Sequence, residues 1–365
     1  MPSNNSGQGS AKRPTKHTHE FRDPIHTFIS VRTDERRVID SAPFQRLRNI
    51  HQLALSYLVY PGATHKRFEH SLGVMELASK IYDVVTAQQN IFHDSVRNII
   101  PDEEGKRYWK AVLRMAALCH DVGHLPFSHA AEDELLPKGY DHERLTQDLI
   151  RSSEMNQIWN SMTPPLRADD IVKLAVGAKK AAPLQLDTWE AILSEIIVGD
   201  AFGGDRMDYL LRDSYHAGVQ YGKFDHHRLI NTLRILPKTY DETEEPALGL
   251  EAGGLESSEA LMVARHFMYK QVYMHPIRRV YDIHLKDFLK AWLSKAKFST
   301  ALKNHLGVSD VEVLTAIRKL AASPRSREFE PSVFNAEIIF IFSIRHLRMI
   351  RKWGKSSQEN YSLEN

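Results

Sequence analysis

The segment LCHDVGHLPFSH, residues 118–129, places three histidines and one aspartate in twelve positions, and the apolar run AVLRMAAL leads into it. A divalent cation bound without thiolates takes imidazole and carboxylate. Cys119 is the single cysteine, so these residues offer no thiolate cluster. His120 and Asp121 supply one ligand of each kind where a helix is expected to end. Adjacent helical residues diverge by about 100°, so the pair needs partners from other helices. His70 in HKRFEH and Asp205 in GGDRMDYLLRD are the candidates. Taken alone, the His-Asp pair reads equally well as a buried histidine bonded to its neighbour's carboxylate. The nearby GHLPFSH and the separate RFEH favour the metal.

Three other segments carry chemistry. Arg67 and His70 stand at i, i+3, on one face of a helix. A metal ligand beside a fixed guanidinium suits a phosphate, which the arginine grips through two oxygens. The plainer alternative is a surface arginine paired with Glu69 or Glu76. In DRMDYLLRDSYHAG, Asp205, Tyr209 and Asp213 recur at i, i+4, i+8, with Arg212 close by. That face is not a core face. Its plain alternative is a solvated surface with an Asp208–Arg212 pair. YDHERL sets Asp141, His142 and Glu143 at a helix start, either as a cap or as a histidine and carboxylate for proton transfer.

The elements that must position these groups read mostly as helices. FRDPIHTFISV suggests a short strand or hairpin through Ile25, Phe28, Ile29 and Val31, and Thr33 and Asp34 then open a helix. FEHSLGVMELASKIYDVV puts Leu72, Met75, Leu77, Ala78 and Ile81 on a broad apolar face. YWKAVLRMAALCHDV does likewise and is expected to stop at Gly123 as its C-cap. Further helices are expected at DHERLTQDLIRSS, ADDIVKLAVGAKK, TWEAILSEIIVGD and DRMDYLLRDSYHAG. RLINTLRIL and PALGLEAGG, joined by the acidic YDETEE, read as a hairpin. SSEALMVARHFMYKQVYMH returns to helix, with Ser257 or Ser258 as cap, and weaker helices run to about Lys352. The expected organisation is a disordered segment 1–20, a core 21–225, a C-terminal α+β subdomain 226–352 packed on it, and a flexible tail 353–365.

Bulk composition sets bounds. The chain has 365 residues, 42% hydrophobic and 26% charged, as in ordinary globular proteins. A formal net charge of +2 gives no global field toward nucleic acid or a membrane surface. Histidine is high, at 19. No apolar run approaches the roughly 20 residues that span a bilayer. The first residues lack the apolar core of a signal peptide, and the lone cysteine fits a reducing, cytoplasmic setting.

RFEH, HDVGHLPFSH, DHE and DRMDYLLRDSYHAG, in that order, resemble the HD-domain metal-dependent phosphohydrolases. The resemblance covers about residues 21 to 290. It is strongest to the branch that contains the deoxynucleoside triphosphate triphosphohydrolases, among them the vertebrate sterile-alpha-motif HD enzyme and bacterial dGTPase-like proteins. It implies a mostly α fold, an HD-domain helical bundle with a small antiparallel β hairpin in the C-terminal part. It implies metal ligands at His70, His120, Asp121 and Asp205. Active-site roles carry over to His124 and His129, with an acidic partner at Glu132, and to His142 with Glu143. Phosphate contacts carry over to Arg67, Arg206 (often Lys in relatives) and Tyr209. Sugar contacts carry over to Gln52 and Asp213. Leu53 matches a residue that disfavours ribose, and Tyr273 one that lies beside the nucleoside.

The implied reaction hydrolyses a deoxynucleoside triphosphate at the α-phosphorus and releases tripolyphosphate. His129 or His142 would protonate the departing 5′ oxygen, with Glu132 orienting His129 at i, i+3. The cofactor is a divalent ion (Mn, Fe, Zn, Ni, Co or Mg), with Mg accompanying the substrate. A homo-oligomer is implied by analogy. VIDSAPFQRLR resembles an effector-binding segment through Asp40, Gln45 and Arg48, although FQRLR is more simply expected as helix packing. The N-terminal module and much of the C-terminal half that help build the vertebrate enzyme's effector-controlled tetramer have no counterpart here. Two other readings stand beside this one: an HD hydrolase of a monophosphate, cyclic nucleotide or alarmone, and a non-catalytic nucleotide sensor or nucleic-acid binder. The dispersed basic residues disfavour the last.

Overall fold

A computed structural model of the chain describes residues 18–128, 132–240, 243–293, 295 and 297–321, and every structural statement below concerns these. The expected tail, the helices past residue 321 and His129 lie outside the described residues.

The described chain opens with an antiparallel hairpin, β1 (Thr18–Asp23) against β2 (Thr27–Arg32). It begins inside the segment expected as a loose lead-in. Ile29 and Val31 alternate inward on β2, as a half-buried strand requires. Two short helices, α1 (Thr33–Ile39) and α2 (Ala42–Arg46), lead to α3 (Arg67–Val85). This central helix is buried on nearly every side, with Phe68, Leu72, Val74, Met75, Leu77 and Ile81 in the core.

After α4 (Asp94–Ile99), α5 (Glu103–Cys119) starts at Asp102, whose side chain accepts from the Gly105 N–H at 2.8 Å. From Ala111 onward it is buried against α3 except at Arg114. Then come α6 (Glu132–Leu135), α7 (His142–Ile150), α8 (Ser153–Asn160), α9 (Ala168–Ala181), α10 (Thr188–Val198) and α11 (Gly204–Ala217). α7 is capped by Asp141 on the Arg144 N–H, 2.8 Å, and α10 by a reciprocal Asp187–Glu190 box. α11 packs along α3, and α9 bridges α5, α7 and α10.

The remainder comprises α12 (His226–Thr232), the antiparallel pair β3 (Leu233–Tyr240) and β4 (Thr243–Leu250), α13 (Leu255–Met268) continued by a wide turn Tyr269–Tyr273, α14 (Pro276–Trp292), α15 (Leu302–Leu306) and α16 (Asp310–Ala321). The fold is mostly α, as expected, with two small hairpins. A second apolar cluster joins Leu125, Phe127, Leu136 and Leu145 to Tyr281, Leu285, Phe288 and Val313. It ties the loop after α5 to the C-terminal helices. No described helix is long and apolar enough to cross a membrane.

Three local expectations change. α5 stops at Cys119, not at Gly123. Gly123 serves a close approach instead: a Cβ there would lie 2.2 Å from the His142 carbonyl oxygen and 2.4 Å from the Thr146 nitrogen. RLINTLRIL divides, its first half ending α12 and its second half opening β3. The N-cap of α13 is Gly254, while the Ser258 hydroxyl donates back to the Leu255 carbonyl at 2.7 Å.

Candidate active site

His120 is the residue on which α5 terminates, and Asp121 follows it. His70 lies in the first turn of α3 and Asp205 in the first turn of α11. The packing of α3 between α5 and α11 brings the three helix ends together. His70 Nε2 is 2.9 Å from Asp205 Oδ1 and 3.7 Å from Asp121 Oδ2. His120 Nε2 is 3.4 Å from Asp121 Oδ1 and 3.5 Å from Asp205 Oδ1. Such separations are those between neighbouring donors that each sit about 2.0–2.2 Å from one cation.

The tautomers agree. His120 Nδ1 donates to the Ala117 carbonyl at 2.8 Å, which leaves Nε2 with its lone pair toward the carboxylates. That nitrogen is buried and has no hydrogen-bond partner. His70 Nδ1 donates to Asp208 Oδ2 at 2.8 Å, which aims Nε2 at Asp205 Oδ1, 2.9 Å away, where a cation would take its lone pair. Two oriented imidazoles and two carboxylates fit a divalent ion. Burial disfavours charge on His70, yet hydrogen bonds to Asp205 and Asp208 outweigh it and raise the imidazole to about 10. Burial would likewise raise Asp205, but His120 and His70 hold it well below the usual carboxylate range. The field at this point favours positive charge.

In the sequence Asp208 enters only through the alternative of a solvated Asp208–Arg212 pair. It is fully buried. It does pair with Arg212 (Nε to Oδ2, 2.8 Å), and it also accepts from His26 Nε2 at 2.7 Å. Arg212 continues to Asp23 at 2.8 Å. The β1–β2 turn therefore supports the orientation of His70 through Asp208. Sequence reasoning missed Asp23, His26 and this role of Asp208. The available signal was DRMD, which repeats a carboxylate at i, i+3 on the face carrying Asp205.

A second group lies beside the first. His142 donates to Glu132 Oε1 through its backbone N–H (2.5 Å) and through Nδ1 (2.7 Å), and lies 3.3 Å from Glu143. Its ring stacks on that of His124, centroids 4.0 Å apart at 17°. His124 Nε2 is 3.1 Å from Asp121 Oδ1. Burial opposes a proton on His142, but the Glu132 hydrogen bond and charge overcome this and raise its pKa. Burial and the nearby Arg67 and His142 lower His124 well below an ordinary imidazole. The Glu132 carboxylate reaches His142, while the expected Glu132–His129 pairing involves a residue outside the described ones. The described part of α6 runs Glu132–Leu135, and the chain then returns through Asp141 into α7.

Between these groups, Phe127 and Ser128 both adopt φ of 57°. Left-handed backbone costs an L-residue roughly 1–2 kcal/mol, so the loop is held by its surroundings. Arg67 Nε donates to Ser128 Oγ at 2.9 Å, and Arg67 Nη1 pairs with Asp121. Glu69, one alternative partner, instead accepts from the Lys66 N–H at 2.7 Å.

The remaining candidate residues form a polar wall on and around α11. Asp213 is shared between His65 Nε2 and the Tyr273 hydroxyl, each at 2.8 Å. Tyr273 meets Tyr209 edge to face, centroids 6.0 Å apart. Gln52 donates its backbone N–H to the His65 carbonyl at 3.0 Å, and its Oε1 is buried without a partner. Leu53 is buried. Arg206 reaches Asp200 at 3.2 Å with one nitrogen, while its buried Nε and Nη1 have no partner. His65, which sequence reasoning passed over, joins Gln52 to Asp213.

Residues 67–181 match the HD domain, and residues 224–330 match the HD associated region. An uncharacterized protein of Methanocaldococcus jannaschii is 37% identical over 82% of this chain and 54% of its own length. A crystal structure of a hypothetical protein from Aquifex aeolicus, 35% identical, superposes with a TM-score of 0.67 over 89% of this chain and 75% of that one. The chain belongs to the HD-domain phosphohydrolase family. The Mus musculus protein named deoxynucleoside triphosphate triphosphohydrolase SAMHD1 is 31% identical over 74% of this chain and 44% of its own. The chain thus spans about half the length of the curated relatives it matches.

Within this HD domain, helix contact is tightest at Gly73, one turn beyond His70. A Cβ there would lie 1.9 Å from Asp208 Oδ1 and 2.5 Å from Arg212 Nη2. Gly73→Ala is expected to destabilise the fold by about 1–3 kcal/mol and to weaken metal binding through Asp208. Thermal unfolding and metal titration check both. In the segment read as an effector site, Asp40 pairs with Arg36 at 3.3 Å, Gln45 donates to the Ile39 carbonyl at 2.7 Å, and Arg48 covers the Phe68 ring at 3.5 Å. All three side chains make local contacts.

Proposed function

We propose that this HD-domain chain is a metal-dependent hydrolase of deoxynucleoside triphosphates, yielding deoxynucleoside and tripolyphosphate. The observation that carries the reading is the sharing of α11. Its first turn carries Asp205 of the metal cluster and Arg206 beside it, and its next turns carry Tyr209 and Asp213 of the wall completed by Tyr273. A reacting phosphate at the cluster would have a cation and a nucleoside-sized polar surface on one helix. The similarity to a named triphosphohydrolase supports the same substrate class.

A divalent ion held by His70, His120, Asp121 and Asp205 would supply Lewis acidity toward a phosphoryl oxygen and water. The protein's own groups do the rest. Arg67 stands against Asp121 and Ser128, where it would meet a phosphate bound at the cluster. Arg206 carries two buried N–H groups suited to the outer phosphates. Water attacks the α-phosphorus and the bond to O5′ breaks. His142, protonated and steadied by Glu132, gives its proton to that oxygen. Leu53 would exclude a 2′-hydroxyl. Magnesium would accompany the outer phosphates.

The test incubates the purified chain, with its metal content measured, against deoxynucleoside and ribonucleoside triphosphates, monophosphates, cyclic nucleotides and an alarmone. Phosphorus NMR then identifies the released species. Tripolyphosphate equimolar with deoxynucleoside is the expected result. Orthophosphate or pyrophosphate alone sinks the proposal in favour of another phosphate ester.

A further inference from the structure

Asp310 opens α16, a helix of the HD-associated region, and it is completely buried. Its carboxylate does not serve its own helix. Ser309 and Glu312 cap that helix between themselves, the Ser309 N–H donating to Glu312 at 2.7 Å and the Val311 N–H to the Ser309 hydroxyl at 3.3 Å. Asp310 reaches across to the HD domain. Oδ1 accepts from the Phe127 N–H at 2.8 Å, the first of the two left-handed residues in the active-site loop. Oδ2 accepts from the His51 N–H at 2.8 Å and from His51 Nδ1 at 2.6 Å. The His51 ring lies between Tyr57 and Phe127, and its Nε2 accepts from Lys66 Nζ at 2.5 Å.

A second clamp lies just before it. Buried Arg46 donates to the Val308 carbonyl at 2.9 Å and to the His124 carbonyl at 2.8 Å. The segment Val308–Asp310 therefore grips the loop at His124 and again at Phe127. It also fixes His51 and Lys66, the chain neighbours of Gln52 and Arg67. A left-handed pair of non-glycine residues persists only where its surroundings over-determine it. These contacts provide that constraint.

We propose that Asp310 is a positioning residue for the hydrolytic site: by holding the Phe127 amide and His51, the HD-associated region sets the geometry of the HD domain's His124–Ser128 loop. This rests on the hydrolytic reading above. It gives a physical reason for the two regions to occur in one chain.

The experiment compares Asp310→Asn with Glu312→Gln in the full chain. Glu312→Gln weakens the helix's own cap without touching the loop. For Asp310→Asn, kcat is expected to fall about 100-fold, the size of effect expected when reacting groups are misplaced by about 1 Å. KM and bound metal should stay near wild type, and deuterium exchange of the Phe127 amide should accelerate. Glu312→Gln should leave kcat and that exchange unchanged at a similar loss of thermal stability. Equal kcat in the two variants, loss of metal with Asp310→Asn, or unchanged exchange at Phe127 overturns the proposal. Should Asp310→Asn not fold, Arg46→Lys, which keeps the charge but not the double grip, carries the same comparison. Should the wild type hydrolyse no nucleotide, the substrate reading fails by itself, and the exchange measurement alone decides for Asp310.

Discussion

Asp121→Ala or His120→Ala is expected to remove bound metal and turnover together. Each supplies a donor with neighbouring donors of the cluster 3.4–3.7 Å away. His120 Nε2 has no other hydrogen-bond partner. Losing a ligand should cost more than the roughly 10–100-fold in metal affinity typical of an outer-shell partner. Asp208→Asn supplies that smaller comparison, since Asp208 touches the cluster only through His70. Elemental analysis and turnover, measured on the same preparations, check the ranking. Full metal content in Asp121→Ala, or retained turnover in either ligand variant, would remove the metal role from this cluster.

His142→Ala is expected to lower turnover by about 10²–10⁴-fold, the range of general acid catalysis, with metal content unchanged. The pH dependence separates this from a packing role. The Glu132 hydrogen bond raises the His142 pKa, so the protonated form persists above the ordinary imidazole value of about 6.5. Turnover that needs this proton falls as pH rises through the raised value. Glu132→Gln weakens the cause of the shift and should move that alkaline limb to lower pH. The sign for stability is the same. A raised folded pKa adds stability that is full below the unfolded value and is lost as pH climbs through the folded one. An alkaline limb that stays in place in Glu132→Gln would assign the proton to another group.

Residue type and spacing made part of the site legible. A chain with one cysteine and a His-Asp pair at a helix end has few ways to bind a divalent ion. Arg67 and His70 at i, i+3 had to share a face. That Asp205, Tyr209 and Asp213 share one face followed from helical periodicity. What spacing left undecided were the partners. Asp208 and Arg212 are four residues apart whether a helix face is wet or dry, and only the packing of α11 on α3 buried them. Glu132 meets His142 because the chain returns through Asp141 to α7, a pairing that no local spacing announces. Gly123 looks like a C-cap in sequence, but its lack of a side chain serves contact with α7. His65 and Asp310 carry no local pattern, because their partners lie in distant segments.

The sequence by itself determined which side chains exist to bind a cation, which helices carry them and which neighbours share a turn. These follow from the 3.6-residue period and from side-chain chemistry, both local properties. Tertiary structure alone decided which carboxylate orients which imidazole, and which segment braces the left-handed loop. The distance between α16 and that loop is set by the shared apolar cluster of Phe127, Phe288 and Val313. Burial there removes water as a competing partner, so a hydrogen bond such as Phe127 to Asp310 becomes obligatory.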